Sequence, residues 1–205
     1  MPEFYGLERQ FIGTLFGFIL WYIVFNTQLL GSFWIRITFA SIFLAVYSLI
    51  YSKQKFENIR KINKKIFFFG AISGILFYII VLLGFQIFKP FVVEGVSNVY
   101  FFKMDPFFSL SPVLLLVTSF CEELFWRGYI QDSLLIKFRK DLGILFSSIL
   151  YSLIHVSTFN LPLIIVAFIA GCFWGVSYSK TSSLWFVIIS HFVWTELMFV
   201  FYPLL

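Results

Sequence analysis

The chain has 205 residues, of which 60% are hydrophobic and only 12% charged, with a formal net charge of +5 and a mean hydropathy of +0.95. Soluble domains carry about 25% charged residues, so the composition excludes an ordinary soluble domain and defines a polytopic membrane protein. The positive balance is not a nucleic-acid signal, because the basic residues gather in two short loops, as membrane orientation requires.

A membrane span needs about 20 apolar residues. Seven segments meet or approach that length: about 10–28, 31–52, 66–88, 106–126, 142–158, 161–179 and 183–203. The expected fold is an all-α, polytopic transmembrane helical bundle of about seven helices, a single membrane domain over 1–205 with no room for a soluble one. The first segment is too long for a signal peptide, is preceded by Glu3, Glu8 and Arg9, and lacks a small-residue cleavage site. The loop after the second segment is basic, with Lys53, Lys55, Arg60, Lys61, Lys64 and Lys65 against Glu57. The loop at 89–105 is balanced, with Lys89, Glu94, Lys103 and Asp105. The loop after the fourth segment carries Lys137, Arg139 and Lys140, and residues 128–141 alternate at helical spacing, which predicts a short interfacial helix. With seven spans both basic loops share one side, which the positive-inside rule makes cytoplasmic together with the N-terminus. Gly171 and Gly175 form a small-xxx-small pair in the sixth segment, the signature of a close helix contact.

The chemistry concentrates in the run Cys121-Glu122-Glu123-Leu124-Phe125-Trp126-Arg127, which follows the charge-free stretch 107–120. Ionisable groups at membrane depth are costly unless paired or solvated, and mark function by default. Glu123 and Arg127 stand at i and i+4, the favourable order for an ion pair, whereas Glu122 is rotated about 100° away. This predicts a division of labour, with Arg127 holding Glu123 and Glu122 left to act as a general base. The only two histidines, His155 and His191, lie in the fifth and seventh segments. Each alone reads as an interhelical hydrogen-bonding residue. Thr195 shares the face of His191, and Glu196 points about 140° away. Glu122, His155, His191 and Thr195 can therefore converge from three helices, to activate water and polarise a carbonyl or to bind a metal. No carboxylate is evident to orient either histidine. Depth is a constraint: Glu122 and His191 lie roughly 12 Å from their segment ends and His155 about 20 Å, so the fifth helix must tilt or start deeper.

Other chemistries fail on the residues. There is no HExxH, no CxxC metal pattern from Cys121 and Cys172, and no GxSG-like serine loop. Asp105, Asp132 and Asp141 sit at segment edges, and Ser147, Ser148 and Ser152 near His155 have no third orienting group.

Glu122-Glu123 with Arg127, Tyr151 with His155, and Ser183-Leu184-Trp185 running on to His191 together resemble the CAAX protease and bacteriocin-processing (CPBP, or Abi) family, over a core of about residues 105–200. The resemblance implies an intramembrane endopeptidase, cutting a peptide bond near the membrane–cytosol boundary in a membrane-associated protein or peptide. Its site would open towards the cytosol, with Glu122 activating water, His155 and His191 binding water, oxyanion or metal, and Glu123 and Arg127 holding the architecture. Tyr151 replaces a usual Phe. Thr195 replaces a usual Asn or Asp, and a Thr hydroxyl reaches less far than an amide. Glu122, His155 and His191 would suit a His₂Glu zinc site, and equally a metal-free mechanism, so the cofactor is none or one divalent metal. The richness in Phe, Ile and Lys fits an AT-rich bacterial genome and an inner (plasma) membrane, where prenylated targets are not expected. The rival reading is a non-catalytic transporter, immunity or scaffold protein with a degenerate site. A cavity joining Glu122 to both histidines favours the enzyme; a Glu122 engaged by Arg127, with the histidines apart, favours the rival.

Overall fold

The computed structural model describes residues 5–29, 31–52 and 62–205. Its helices are α1 (Tyr5–Asn26), α2 (Phe33–Tyr51), α3 (Lys64–Tyr100), α4 (Ser111–Phe125), α5 (Asp132–Lys137), α6 (Lys140–Leu153), α7 (Leu161–Thr181) and α8 (Leu184–Glu196). Among the described residues there is no strand, and six helical runs are long and apolar enough to cross a membrane. Lipid cannot satisfy backbone polar groups, so helices are the form such a sequence takes. The first segment forms the 22-residue α1, which is not among those six. Most of the basic loop, Lys53, Lys55, Glu57, Arg60 and Lys61, lies outside the described residues.

Three segments depart from the sequence expectation. The balanced loop at 89–105 is largely helical: α3 runs on through Pro90 to Tyr100, 37 residues or about 55 Å. The fourth segment does not stop near 126. A π-helical turn over Trp126–Gln131 carries the chain, fully buried, from α4 into α5, so of the expected interfacial helix the short α5 remains, anchored in the core by Leu134. The helix of the fifth segment, α6, ends at Leu153, and His155 sits in the turn beyond it.

Caps explain several boundaries. The Asn63, Asn160 and Ser183 side chains accept the N–H groups of Ile66, Leu163 and Phe186 at the starts of α3, α7 and α8. In the Ser183-Leu184-Trp185 motif, Ser183 is thus the cap of α8 and Leu184 is buried behind it. The glycine pair works by close approach. A Cβ on Gly171 would stand 2.9 Å from Ser148 Cα, and one on Gly175 would stand 3.0 Å from Gln131 Oε1, so the backbone of α7 meets the backbone of α6 and a side chain of the π-helical turn.

Side-chain contacts orient the bundle. Gln10 Nε2 donates to Ser133 Oγ, Tyr47 Oη to the Arg9 carbonyl, and Lys140 Nζ to the Ser179 carbonyl. Gly70 near the start of α3 lies against Phe186 near the start of α8. Arg9, Lys64, Lys65, Lys137, Arg139, Lys140 and Lys180 therefore gather at one end of the bundle. At the other end, Asn160 Nδ2 donates to the Gly95 carbonyl and Asp105 accepts from the start of α2.

Candidate active site

The Glu-Glu-Arg run occupies the last turn of α4 and the π-helical turn, and its two carboxylates part company. Arg127 Nη1 donates to Glu123 Oε1 at 3.1 Å, with both side chains buried. The guanidinium also lies over the Tyr151 and Trp174 rings and reaches the carbonyls of Ala170 and Gly171. The same Glu123 oxygen accepts His191 Nδ1–H at 2.8 Å. The sequence offered no carboxylate to orient either histidine; the structure supplies Glu123 for His191, from 68 residues away. His191 stacks on Trp174 with ring centroids 3.9 Å apart. With Nδ1 committed, Nε2 is the nitrogen left for the cavity, and among the described residues it makes no hydrogen bond.

Among the described residues Glu122 forms no ion pair. Tyr151 Oη donates to its Oε2 at 3.1 Å, and among the described residues Oε1 makes no hydrogen bond. The Tyr that replaces the usual Phe therefore brings a hydroxyl onto the candidate base, a role the sequence did not suggest. His155 is anchored on both nitrogens. Trp21 Nε1–H, which can only donate, lies 3.1 Å from Nε2, so Nε2 accepts and the ring proton is on Nδ1, donating to the Tyr151 carbonyl at 3.1 Å. Trp21 comes from α1, outside the segment that carries the motifs, and nothing in its sequence context marks it.

A cavity of about 120 Å³ is lined by Glu122, Tyr151, His155, His191, Ser119 and Thr195. It joins Glu122 to both histidines. The depth constraint eases for Glu122, because the buried turn to Gln131 adds about 7.5 Å beyond a helix ending near 126. Thr195 lies on the wall with its hydroxyl turned to its own helix, at 3.1 and 3.0 Å from the carbonyls of His191 and Phe192. Glu196 is buried and does not line this cavity. The apolar walls, including Phe33, Trp34, Val99, Leu163 and Phe199, come from the end of the bundle away from the basic residues.

The donors of the Glu122, His155 and His191 set decide whether it suits a metal. Among the described residues no three His, Cys, Asp or Glu side chains are grouped to hold an ion. His155 has no lone pair to give while Trp21 donates to Nε2, so Glu122, His155 and His191 as arranged do not fit a His₂Glu centre.

The chain matches the family model described as type II CAAX prenyl endopeptidase Rce1-like over residues 104–196, the segment that carries all three motifs. Over that segment the chain is similar to the family whose motifs it resembles, and the six helices able to cross a membrane fit a multi-pass membrane protein. No curated protein and no solved structure matches the chain.

Proposed function

We propose that this protein is an intramembrane endopeptidase in which Glu122 is the general base. The observation that carries the reading is the division of partners among the described residues: Glu123 takes both Arg127 and His191, while Glu122 lines the cavity and accepts from the Tyr151 hydroxyl alone. Water held between Glu122 Oε1 and a substrate carbonyl gives a proton to Glu122 as its oxygen adds to the carbonyl carbon. The tetrahedral intermediate carries one oxyanion. Glu122 then passes the proton to the amide nitrogen as the oxyanion re-forms the C=O bond and the C–N bond breaks, releasing a carboxylic acid and an amine.

His191 is the electrostatic partner. The mechanism calls for a proton on each ring nitrogen of His191, beside Glu123 and Arg127. Buried charge is tolerated when compensated. Its Nε2–H then donates to the oxyanion, held in place by Glu123 and by the Trp174 face. His155 is a positioning residue in this scheme: through the Tyr151 carbonyl it fixes the side chain that holds Glu122. The mechanism is metal-free.

The basic end is cytoplasmic by the positive-inside rule, which puts the N-terminus there and the apolar walls of the chamber in the other half of the bilayer. The substrate is a membrane-associated protein or peptide, and the membrane a bacterial plasma membrane. The test is cleavage of a library of membrane-tethered peptides by the purified protein in lipid vesicles. Wild type is expected to cut with and without a metal chelator, and Glu122→Gln to be inactive. Wild-type rates from Glu122→Gln would sink the proposal and favour a non-catalytic membrane protein; loss of activity with chelator alone would overturn the metal-free mechanism.

A further inference from the structure

We propose that Ser119 supplies the oxyanion hydrogen bond that Thr195 withholds, an inference that rests on the peptidase reading above. The hydroxyl inventory of the cavity wall singles Ser119 out. Thr195 has one proton, and it is directed at the carbonyls of His191 and Phe192 in its own helix. Thr118 donates to the Leu114 carbonyl at 2.8 Å, and Tyr151 to Glu122. Ser119 is different. A helical serine ordinarily donates back to its own turn, but among the described residues Ser119 makes no such bond. Its one partner there is Thr195 Oγ1, at 3.5 Å. Because the Thr195 proton is engaged elsewhere, Ser119 is the donor in that pair, across a distance at the outer limit of a hydrogen bond. Its proton is the one on this wall that turns to a substrate oxygen at little cost.

Position agrees with the role. Ser119 is buried at 1% exposure and lines the same cavity as Glu122 and His191. It precedes Glu122 by three residues on α4, so the two share a face with a rise of about 4.5 Å between them. On the facing helix, His191 and Thr195 are four apart, one turn. The polar wall therefore has two layers, Glu122 with His191 and Ser119 with Thr195. A carbonyl carbon set before Glu122 directs its oxygen along the wall, between His191 Nε2 and Ser119 Oγ. In such a layout Thr195 is an acceptor that parks the serine hydroxyl until substrate arrives. An asparagine at 195 would instead present an amide donor.

The test uses the full chain in lipid vesicles with a tethered peptide that wild type cleaves. Removing one oxyanion donor costs about 10²–10³ in kcat, so Ser119→Ala is expected to lose about 10²-fold in kcat with KM within twofold. The double variant Ser119→Ala/Thr195→Asn is expected to recover most of that loss, because the amide restores a donor on the same wall; a packing defect would not be repaired this way. Should Ser119→Ala fold poorly, Ser119→Cys keeps the volume with a weak donor and is expected to show the same fall. Wild-type kcat in Ser119→Ala or Ser119→Cys, or a double variant no better than the single, overturns the assignment. Glu122→Gln separates the two levels: if it is inactive while Ser119→Ala is normal, only the oxyanion assignment fails. If Glu122→Gln is active, the peptidase reading fails and the assignment with it.

Discussion

Glu123 is the residue on which the polar cluster turns. One of its oxygens accepts from both Arg127 and His191. Removing one partner of a buried pair leaves an uncompensated charge and costs about 3–5 kcal/mol, so Glu123→Gln is expected to lower the melting temperature in detergent by several degrees and to release His191. A melting curve that overlays wild type would count against a structural role. Tyr151→Phe keeps the ring that packs on Trp126 and His155 and deletes only the hydroxyl on Glu122. Its expected cost is about 1–3 kcal/mol of stability, read from the same melting measurement. The Glu123–Arg127 contact could be read from an i,i+4 spacing. The Glu123–His191 and Trp21–His155 contacts could not, because they join residues 68 and 134 positions apart, and only the packing of helices sets such pairs.

At the scale of elements, spacing was again informative where a local rule applied. Gly171 and Gly175 announced a tight helix contact, and α7 does lie against α6 there. Gly171→Ala places a methyl 2.9 Å from Ser148 Cα, which is backbone and cannot swing away. Overpacking of this kind costs about 1–3 kcal/mol, so a lower melting temperature is expected, and an unchanged one would argue that the helices separate freely. Where no local rule exists, the sequence was silent. A π-helical turn has no composition of its own, and Trp126–Gln131 reads equally well as a helix end. Pro90 and the charges of 89–105 read as a loop, yet α3 continues through them, exposed around Pro90: a proline removes one hydrogen bond and here does not end the helix.

For the whole molecule, the two ends of the bundle differ in charge and in what holds them. At the end away from the basic residues, Asp105 accepts from Ser32 Oγ at 2.7 Å and from the N–H groups of Phe33 and Phe107 at 2.8 and 2.9 Å, tying the start of α2 to the approach to α4. Burial alone would raise its pKa, but these hydrogen bonds and Arg36 outweigh burial and hold it below the ordinary 3.8. A carboxyl depressed in the folded state contributes stability that is present above the unfolded value and lost as pH falls through the folded one. The melting temperature is therefore expected to drop as the medium is acidified below about pH 4, and Asp105→Asn to flatten that drop; an identical acid limb in both would contradict it. Orientation is tested by Lys103→Cys, which should react with a membrane-impermeant maleimide applied outside intact cells, above the unsubstituted protein, if the basic end is cytoplasmic.

The most direct test of the central claim, that Glu122 drives hydrolysis of a peptide bond inside the membrane, is cleavage of tethered peptides in ¹⁸O-water followed by mass spectrometry. Wild type should yield a fragment whose new C-terminal carboxyl carries one ¹⁸O, and Glu122→Gln should yield none. Cleavage by Glu122→Gln at the wild-type rate, or no labelled fragment from wild type across the peptide library, would contradict the account.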